Sequence, residues 1–222
     1  MVLRESSACS QRVSEYPLAE TWERWYRNHP TYWKGSLLPL PVLKKGARVL
    51  DVGCGDGSTL IQVAEAGYTP VGIDLSRTAL EKAVERTRAC GFEVEVMEGN
   101  ILEVGDWPGG FDCILLHHVL DSMLSGVRKE VVAMSGRMLK EGGVISFQDY
   151  SVNDMRFGNG EEIEKGTFLK KDGLFVHFFE MEEVRELFSG YNVLELTGIE
   201  WEQSRGRVKL KRSRIGGLFQ SP

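Results

Sequence analysis

An α/β fold with a doubly wound, mostly parallel sheet is what this chain predicts, on three observations. Apolar runs of strand length alternate with helical segments through residues 48–150, the rhythm of stacked βαβ units. The first run (Val49, Leu50, Val52) breaks into a turn carrying Gly53, Gly55 and Gly57 and then into a helix-forming stretch, as a buried first strand does when it turns sharply into a helix. The second run, Thr69 to Ile73, ends in Asp74, where a carboxylate is placed to hydrogen-bond a ribose diol. Together these describe a nucleoside-binding first βαβ unit.

The glycine order decides which nucleoside. A dinucleotide site wants G-x-G-x-x-G, with the third glycine packing helix on strand and the helix N-terminus facing a pyrophosphate. Here the order is G-x-G-x-G, with Ser58 in the third place, and Asp51 lies two residues before the first glycine. A carboxylate aimed into this turn repels a pyrophosphate but suits a ligand carrying an ammonium and a sulfonium, S-adenosylmethionine. RVLDVGCGDGST, residues 48–59, looks like motif I of the class I methyltransferases.

Taken in order, the first dozen residues are polar. A helical pattern begins at Ser14, with Leu18, Trp22, Trp25 and Tyr26 on one side and Glu20, Glu23, Arg24 and Arg27 between them. Its aromatic face caps the sheet edge or closes over the cofactor as a lid. The proline- and aromatic-rich HPTYWKGSLLPLPVLKKG (29–46) reads as an irregular connection. A helix over Ser58 to Ala66, the Asp74 strand and a helix N-capped by Ser76, with Leu80, Ala83 and Val84 inward, follow. Phe92 to Met97 reads as the third strand and Phe111 to Leu116 as the fourth, with His117 and His118 at the carboxyl end where open α/β sheets bind ligands. A helix over Gly126 to Leu139 is expected to stop at Gly142 and Gly143, before a fifth strand from Val144 to Gln148. Residues 150–172 read as a polar excursion. Beyond it lie a strand-like Gly173 to Phe179, a helix from Met181 to Phe188 and a sixth strand from Tyr191 to Leu196. The last segment, with Arg205, Arg207, Lys209, Lys211, Arg212 and Arg214, suits an antiparallel last strand with a basic edge.

With 222 residues and a net charge of -5, one well-buried core is expected and a wholesale basic nucleic-acid binder is not. We divide the chain into an N-terminal helical lid segment, 1–45, and a nucleoside-binding domain, 46–222, forming one globular unit. Cys9, Cys54, Cys90 and Cys113 are far apart without a C-x-x-C. Three fall in expected core elements and all read as reduced, neither a disulfide frame nor a zinc site. No apolar run approaches the length of a membrane span, and no basic-then-apolar signal opens the chain. A cytoplasmic or nuclear location is the expectation.

The acceptor side narrows by elimination. Methylation of exocyclic amines typically uses [D/N]-P-P-[Y/F] after the fourth strand, and LLHHVL stands there instead. Cys113 sits inside an expected strand, which disfavours carbon-5 attack on a pyrimidine. Transfer to an already nucleophilic atom remains, by positioning, desolvation and charge stabilisation. Candidates are His117, His118, Asp149, Tyr150, Arg156 and His177. Neighbouring histidines on a strand point to opposite faces, so one faces the pocket and no metal role is expected. Asp149 and Tyr150 could meet a base with a carboxylate and a stacking ring, or act as a loop-capping aspartate and a packed tyrosine.

Several further segments carry a more specific resemblance. AETWERWYRN with the following YWK, DYSVNDMRF after strand five, KKDGLFVHFFE, and a basic tail leading to RIGGLFQSP resemble the tRNA 3-methylcytidine methyltransferases. That family shows W-x-x-x-Y, D-Y-G-x-Y-D with L-R-F, V-R-x-D-G-T-R-x-Y-F-F, and a closing R-V with K-F-x-x-P. The likeness runs from about Trp22 to the end. It implies a seven-stranded class I methyltransferase sheet with an antiparallel last strand, and a cofactor set of Trp22, Tyr26, Asp51, Gly53, Gly55, Gly57, Asp74, Leu75, Asn100, Ile101 and Leu116. It implies tRNA as partner, with an unpaired anticodon-loop cytosine swung into the pocket. Asp149, Tyr150 and His117 would then be the catalytic group, and Arg156, Lys170, Lys171, His177 and Arg212 the substrate contacts. Asn100 replaces the family's usual aspartate, His117 and His118 replace apolar residues, and Leu174 and Phe175 stand where T-R is expected. These departures leave open a helper protein for tRNA recognition, a small-molecule or protein side-chain acceptor, or a non-catalytic RNA-binding subunit.

Overall fold

The computed structural model describes residues 18–29, 38–105, 107, 110–206 and 208–222. Cys9, the polar N-terminus and the YWK at 32–34 lie outside the described residues. Helix α1 (Leu18–Asn28) precedes β1 (Arg48–Val52), α2 (Ser58–Glu65), β2 (Thr69–Asp74), α3 (Arg77–Ala89), β3 (Glu95–Glu98) and β4 (Phe111–His117). A 3-10 turn (Leu120–Ser122), α4 (Ser125–Met138), β5 (Leu139–Tyr150) and the short β6 (Glu161–Glu164), β7 (Thr167–Leu169) and β8 (Phe175–His177) come next. The chain closes with α5 (Met181–Leu187), β9 (Asn192–Arg205) and β10 (Val208–Gln220).

The main sheet has seven strands in the order β3-β2-β1-β4-β5-β10-β9. Strands β1 to β5 pair in parallel, and β10 runs antiparallel to β5 and β9. This is the doubly wound sheet with an antiparallel last strand that the sequence implies. Strand β1 is central, between β2 and β4, so its residues are covered on both faces and the run is apolar without alternation. On one face Ile114, Leu116, Ile145 and Phe147 meet Val131, Met138, Val184 and Phe188 in the main core. On the other, Val49, Cys113, Leu115 and Val144 pack on Val63. The order reverses at β1, whose neighbours β2 and β4 lead to opposite halves, and the crevice at that point is where such sheets bind ligands.

Several expectations are corrected. Strand β3 begins at Glu95 rather than Phe92, because the Phe92 amide still donates to Thr87 O (2.9 Å) and extends the C-terminal turn of α3. Cys90 caps that helix and is exposed, while Cys54 and Cys113 are buried free thiols. Gly142 and Gly143 lie within β5 instead of ending α4. The polar excursion forms a second antiparallel sheet, β6-β7-β8, which also takes the strand-like run before α5. Strand β9 reaches Arg205 rather than Leu196, and with β10 it forms a hairpin that runs beyond the part of β10 paired to β5. Among the described residues no helix is long and apolar enough to cross a membrane.

Candidate active site

A cavity of about 650 Å³ opens at the carboxyl ends of β1, β2 and β4, under α1. Its floor is the glycine turn. Gly53 (φ 68°) and Gly55 (φ 53°) adopt left-handed backbone, which side chains disfavour. A Cβ on Gly53 would meet Val119 Cγ2 at 2.9 Å, and one on Gly55 would strike the Tyr26 hydroxyl. The turn is therefore a cradle only glycine fits. Gly57 lies against Ala83 of α3 and seats that helix.

Two carboxylates flank the turn. Asp74 Oδ2 accepts from the Gly55 amide (2.8 Å) and Oδ1 from the Ser76 amide (2.9 Å). Burial raises its carboxyl from the usual carboxylate value, while the backbone donors pull the other way. Asp51 is buried and is pushed up to about 8, first by burial and then by Asp74; of the expected cofactor set Asp51, Gly55 and Gly57 shape the turn but, unlike Gly53 and Asp74, are not in the cavity lining. The described cavity lining holds Asp74, Glu98 and Glu103 but no lysine or arginine. Such a lining favours a cationic ligand.

Helix α1 roofs the cavity, with Trp22 and Tyr26 lining it one helical turn apart. Trp25 turns aside to stack on His29 (4.3 Å between centroids). The helix is fastened by charge at its middle and at its C-terminus. Glu23 accepts from Ser76 Oγ (2.7 Å), Thr78 N (3.1 Å) and Thr78 Oγ1 (2.7 Å) at the start of α3, where the helix dipole favours an anion. These bonds, that of the Thr78 hydroxyl foremost, hold its carboxyl down at about 2. Lys82 Nζ donates to Tyr26 O (2.8 Å) and His29 O (2.9 Å) at the α1 C-terminus. Sequence reasoning missed Glu23 and Lys82 because no local pattern joins them to their distant partners.

Leu75, Asn100 and Ile101 also line the cavity. Asn100 Oδ1 accepts from the Leu102 amide (3.1 Å), which orders the loop after β3. Leu116 is fully buried in the main core and does not reach the cavity. Of the two histidines, His118 lines the cavity and His117 does not. His117 Nε2 lies 2.9 Å from Ser146 Oγ, and burial lowers its imidazole to about 3. His118 is the one described non-glycine residue with positive φ (54°). This backbone turns it out of strand alternation.

Beside His118 the acceptor-side candidates gather. Its Nδ1 lies 3.3 Å from Asp149 Oδ1, and its ring leans on Tyr150 (4.4 Å). Asp149 is fully buried, accepts from the Asp121 amide (3.2 Å), and is raised well above the usual range by burial. Asp121, unremarked in the sequence, is pushed up to about 7 by burial and by Asp149. Arg156 stacks on Tyr150 (3.8 Å) while pairing with Asp154 (2.8 Å), and Arg212 pairs with the same aspartate (2.9 Å). One ligand atom each of His118, Asp121 and Asp149 lie within 4.8 Å of one another, a grouping a metal ion could enter, although Arg156, Arg212 and Arg214 all act on His118. His177 stands apart. It is buried between Thr167 Oγ1 (2.8 Å) and Glu183 (2.9 Å), locking β8 to β7 and α5. Lys170 bonds the Asn159 carbonyl and Lys171 is exposed.

A doubly wound sheet with a glycine cradle, an acid ending β2 and an anionic cavity defines an S-adenosylmethionine-binding methyltransferase domain. A family model described as a methyltransferase domain matches residues 43–198; the chain belongs to that family, and S-adenosylmethionine is its cofactor. The chain is 29% identical over 175 residues to the tRNA N(3)-cytidine methyltransferase METTL2 of Danio rerio, covering 72% of this chain and 48% of that protein. It is 29% identical over 158 residues to METTL2B of Homo sapiens, also a tRNA N(3)-cytidine methyltransferase, covering 64% and 40%. The chain thus spans less than half the length of these relatives. In fold it resembles an S-adenosylmethionine-dependent methyltransferase from Methanosarcina mazei, with TM-score 0.71, 23% identity, and 81% and 94% of the two chains covered.

Proposed function

We propose that this chain methylates the ring nitrogen N3 of a cytosine in the anticodon loop of tRNA. The observation that carries the reading is the gathering of Asp149, Tyr150 and Arg156, all from DYSVNDMRF, against the cavity-lining His118. The tRNA activity named for the two relatives adds weight to it. In this reading Asp74 holds the cofactor ribose, Asn100 and Ile101 meet its adenine, and Asp51 answers its positive charge. The cofactor supplies a methyl group made electrophilic by its sulfonium. Trp22 and Tyr26 of the lid segment exclude water, so the acceptor is desolvated and oriented. N3 carries a free lone pair at neutral pH, but it lies on the pairing edge and the base must be unstacked to reach the cavity. Tyr150 offers that base a ring to stack on, and Asp149 answers the positive charge that develops on the ring as the N–C bond forms.

A second reading, a small-molecule or protein side-chain acceptor, is favoured by one observation. The basic edge of β10 is largely ion-paired: Lys209 with Glu202 (2.8 Å), Lys211 with Glu200 (3.1 Å) and Arg212 with Asp154. Under the tRNA reading this pairing calls for a helper protein or further chain to bind the nucleic acid. Nucleoside mass spectrometry separates the two. Purified protein with S-adenosylmethionine and tRNA is expected to yield 3-methylcytidine, and tRNA from cells lacking the gene to lose it. No 3-methylcytidine from the purified protein, together with its persistence in tRNA from cells lacking the gene, would overturn the proposal.

A further inference from the structure

We propose that His118 takes a proton from the exocyclic amine of the acceptor base as the neighbouring ring nitrogen gains its methyl group, with Asp149 as the positioning residue that holds the imidazole. The inference rests on the cytidine reading and deepens it.

Three observations converge on this residue. The left-handed backbone at His118 (φ 54°) directs a histidine where strand geometry would not. Its Nδ1 is buried 3.3 Å from Asp149 Oδ1, and neither atom has a hydrogen-bond partner among the described residues, so each is left to the other. The side chain is still 24% exposed and lines the cavity, which leaves the accessible edge of the ring to the acceptor. In the form that acts Asp149 is the carboxylate, which accepts from Nδ1–H and leaves a free lone pair on Nε2; burial, which raises the Asp149 carboxyl well above its usual range, reserves that form for the upper part of the pH profile.

The N3 lone pair forms the new N–C bond, the C–S bond breaks, and sulfur keeps that electron pair as a neutral thioether. One amine N–H proton passes to Nε2, and the electrons of that bond form the exocyclic C=N, so the methylated base is neutral. The imidazolium then returns its proton to solvent. The groups facing His118 are His117 of β4, Asp121 of the 3-10 turn, Asp149 and Tyr150 of β5, Arg156, and Arg212 and Arg214 of β10. Burial foremost, with the three arginines, lowers the imidazole and keeps it neutral, against the pull of Asp121. The neutral ring is the form that accepts a proton.

The test compares wild-type protein with His118→Asn, since asparagine tolerates left-handed backbone but cannot take the proton. The variant is expected to lose about 10²-fold or more in kcat with KM for tRNA unchanged, and to lose the fall of wild-type kcat that accompanies protonation of this pair as pH is lowered. A variant kcat within a few-fold of wild type overturns the inference. Should the variant fail to fold, the wild-type profile decides: a kcat that does not fall as pH is taken below the usual histidine value near ~6.5 overturns it. Wild-type protein that forms no 3-methylcytidine overturns the cytidine reading and this inference together. Wild-type protein that forms it while the variant matches overturns this inference alone.

Discussion

Asp51 carries a proton in the folded chain that it would shed in the unfolded one, since burial and Asp74 push it up to about 8 from an ordinary value near ~3.9. The sign follows: the native state binds more protons between those values, so Asp51 makes the unliganded chain less stable as pH rises from about 4 to about 8. A cationic ligand reverses the preference. Cofactor binding at pH 7 is therefore expected to release protons and to tighten as pH climbs towards about 8. Calorimetric titrations in two buffers of different ionisation enthalpy check this, and identical apparent enthalpies would contradict it. The two acids were legible in the sequence because they sit at fixed offsets from the glycine turn. The choice between His117 and His118 was not, because alternation presumes extended backbone and His118 departs from it. His177 looked available for the same reason that its bonds to Thr167 and Glu183 were invisible: both partners come from other elements.

Helix α1 owes its position to Glu23 and Lys82 as much as to its aromatic face. Replacing Glu23 with Ala removes the acceptor at the start of α3, and a loss of about 0.5–2 kcal/mol is expected by analogy with helix caps. Amides of Leu18–Asn28 should then exchange faster with deuterium and the cofactor should bind more weakly; unchanged exchange would mean that the aromatic contacts alone hold the helix. Because the Glu23 carboxyl is held down at about 2, its contribution is present above the ordinary glutamate value near ~4.3 and is lost as pH falls towards about 2. Behind the sheet, Phe188 stacks on Phe219 (4.0 Å, 4°) with both rings fully buried. Phe188→Ala is expected to cost about 3–5 kcal/mol in denaturant unfolding, and a loss below about 1 kcal/mol would contradict the packing described. The parallel strands and their helices were readable because apolar runs and caps mark them. Strands β6 and β7 were not, since EEIE and TFL are too short to show a period.

Over the whole molecule the net charge of -5 and the paired β9–β10 hairpin argue for weak electrostatic attraction to RNA. Binding of the proposed tRNA substrate should show a shallow salt dependence. Changing Glu200 and Glu202 to Gln frees Lys211 and Lys209, and should steepen the slope of log K against log salt by about one to two. An unchanged slope would mean that RNA does not touch the hairpin. The basic run was plain in the sequence; its neutralisation was not, because the partner acids lie on a strand whose full length the sequence did not reveal. In the proposed account Asp74 of the cavity lining and Asp51 buried beside the glycine turn together answer a positively charged nucleoside. Calorimetric titration of S-adenosylmethionine into wild-type protein and Asp74→Ala tests that claim most directly. Saturable binding by the wild type and none by the variant is the expected result; no binding by the wild type, or equal binding by both, would contradict it.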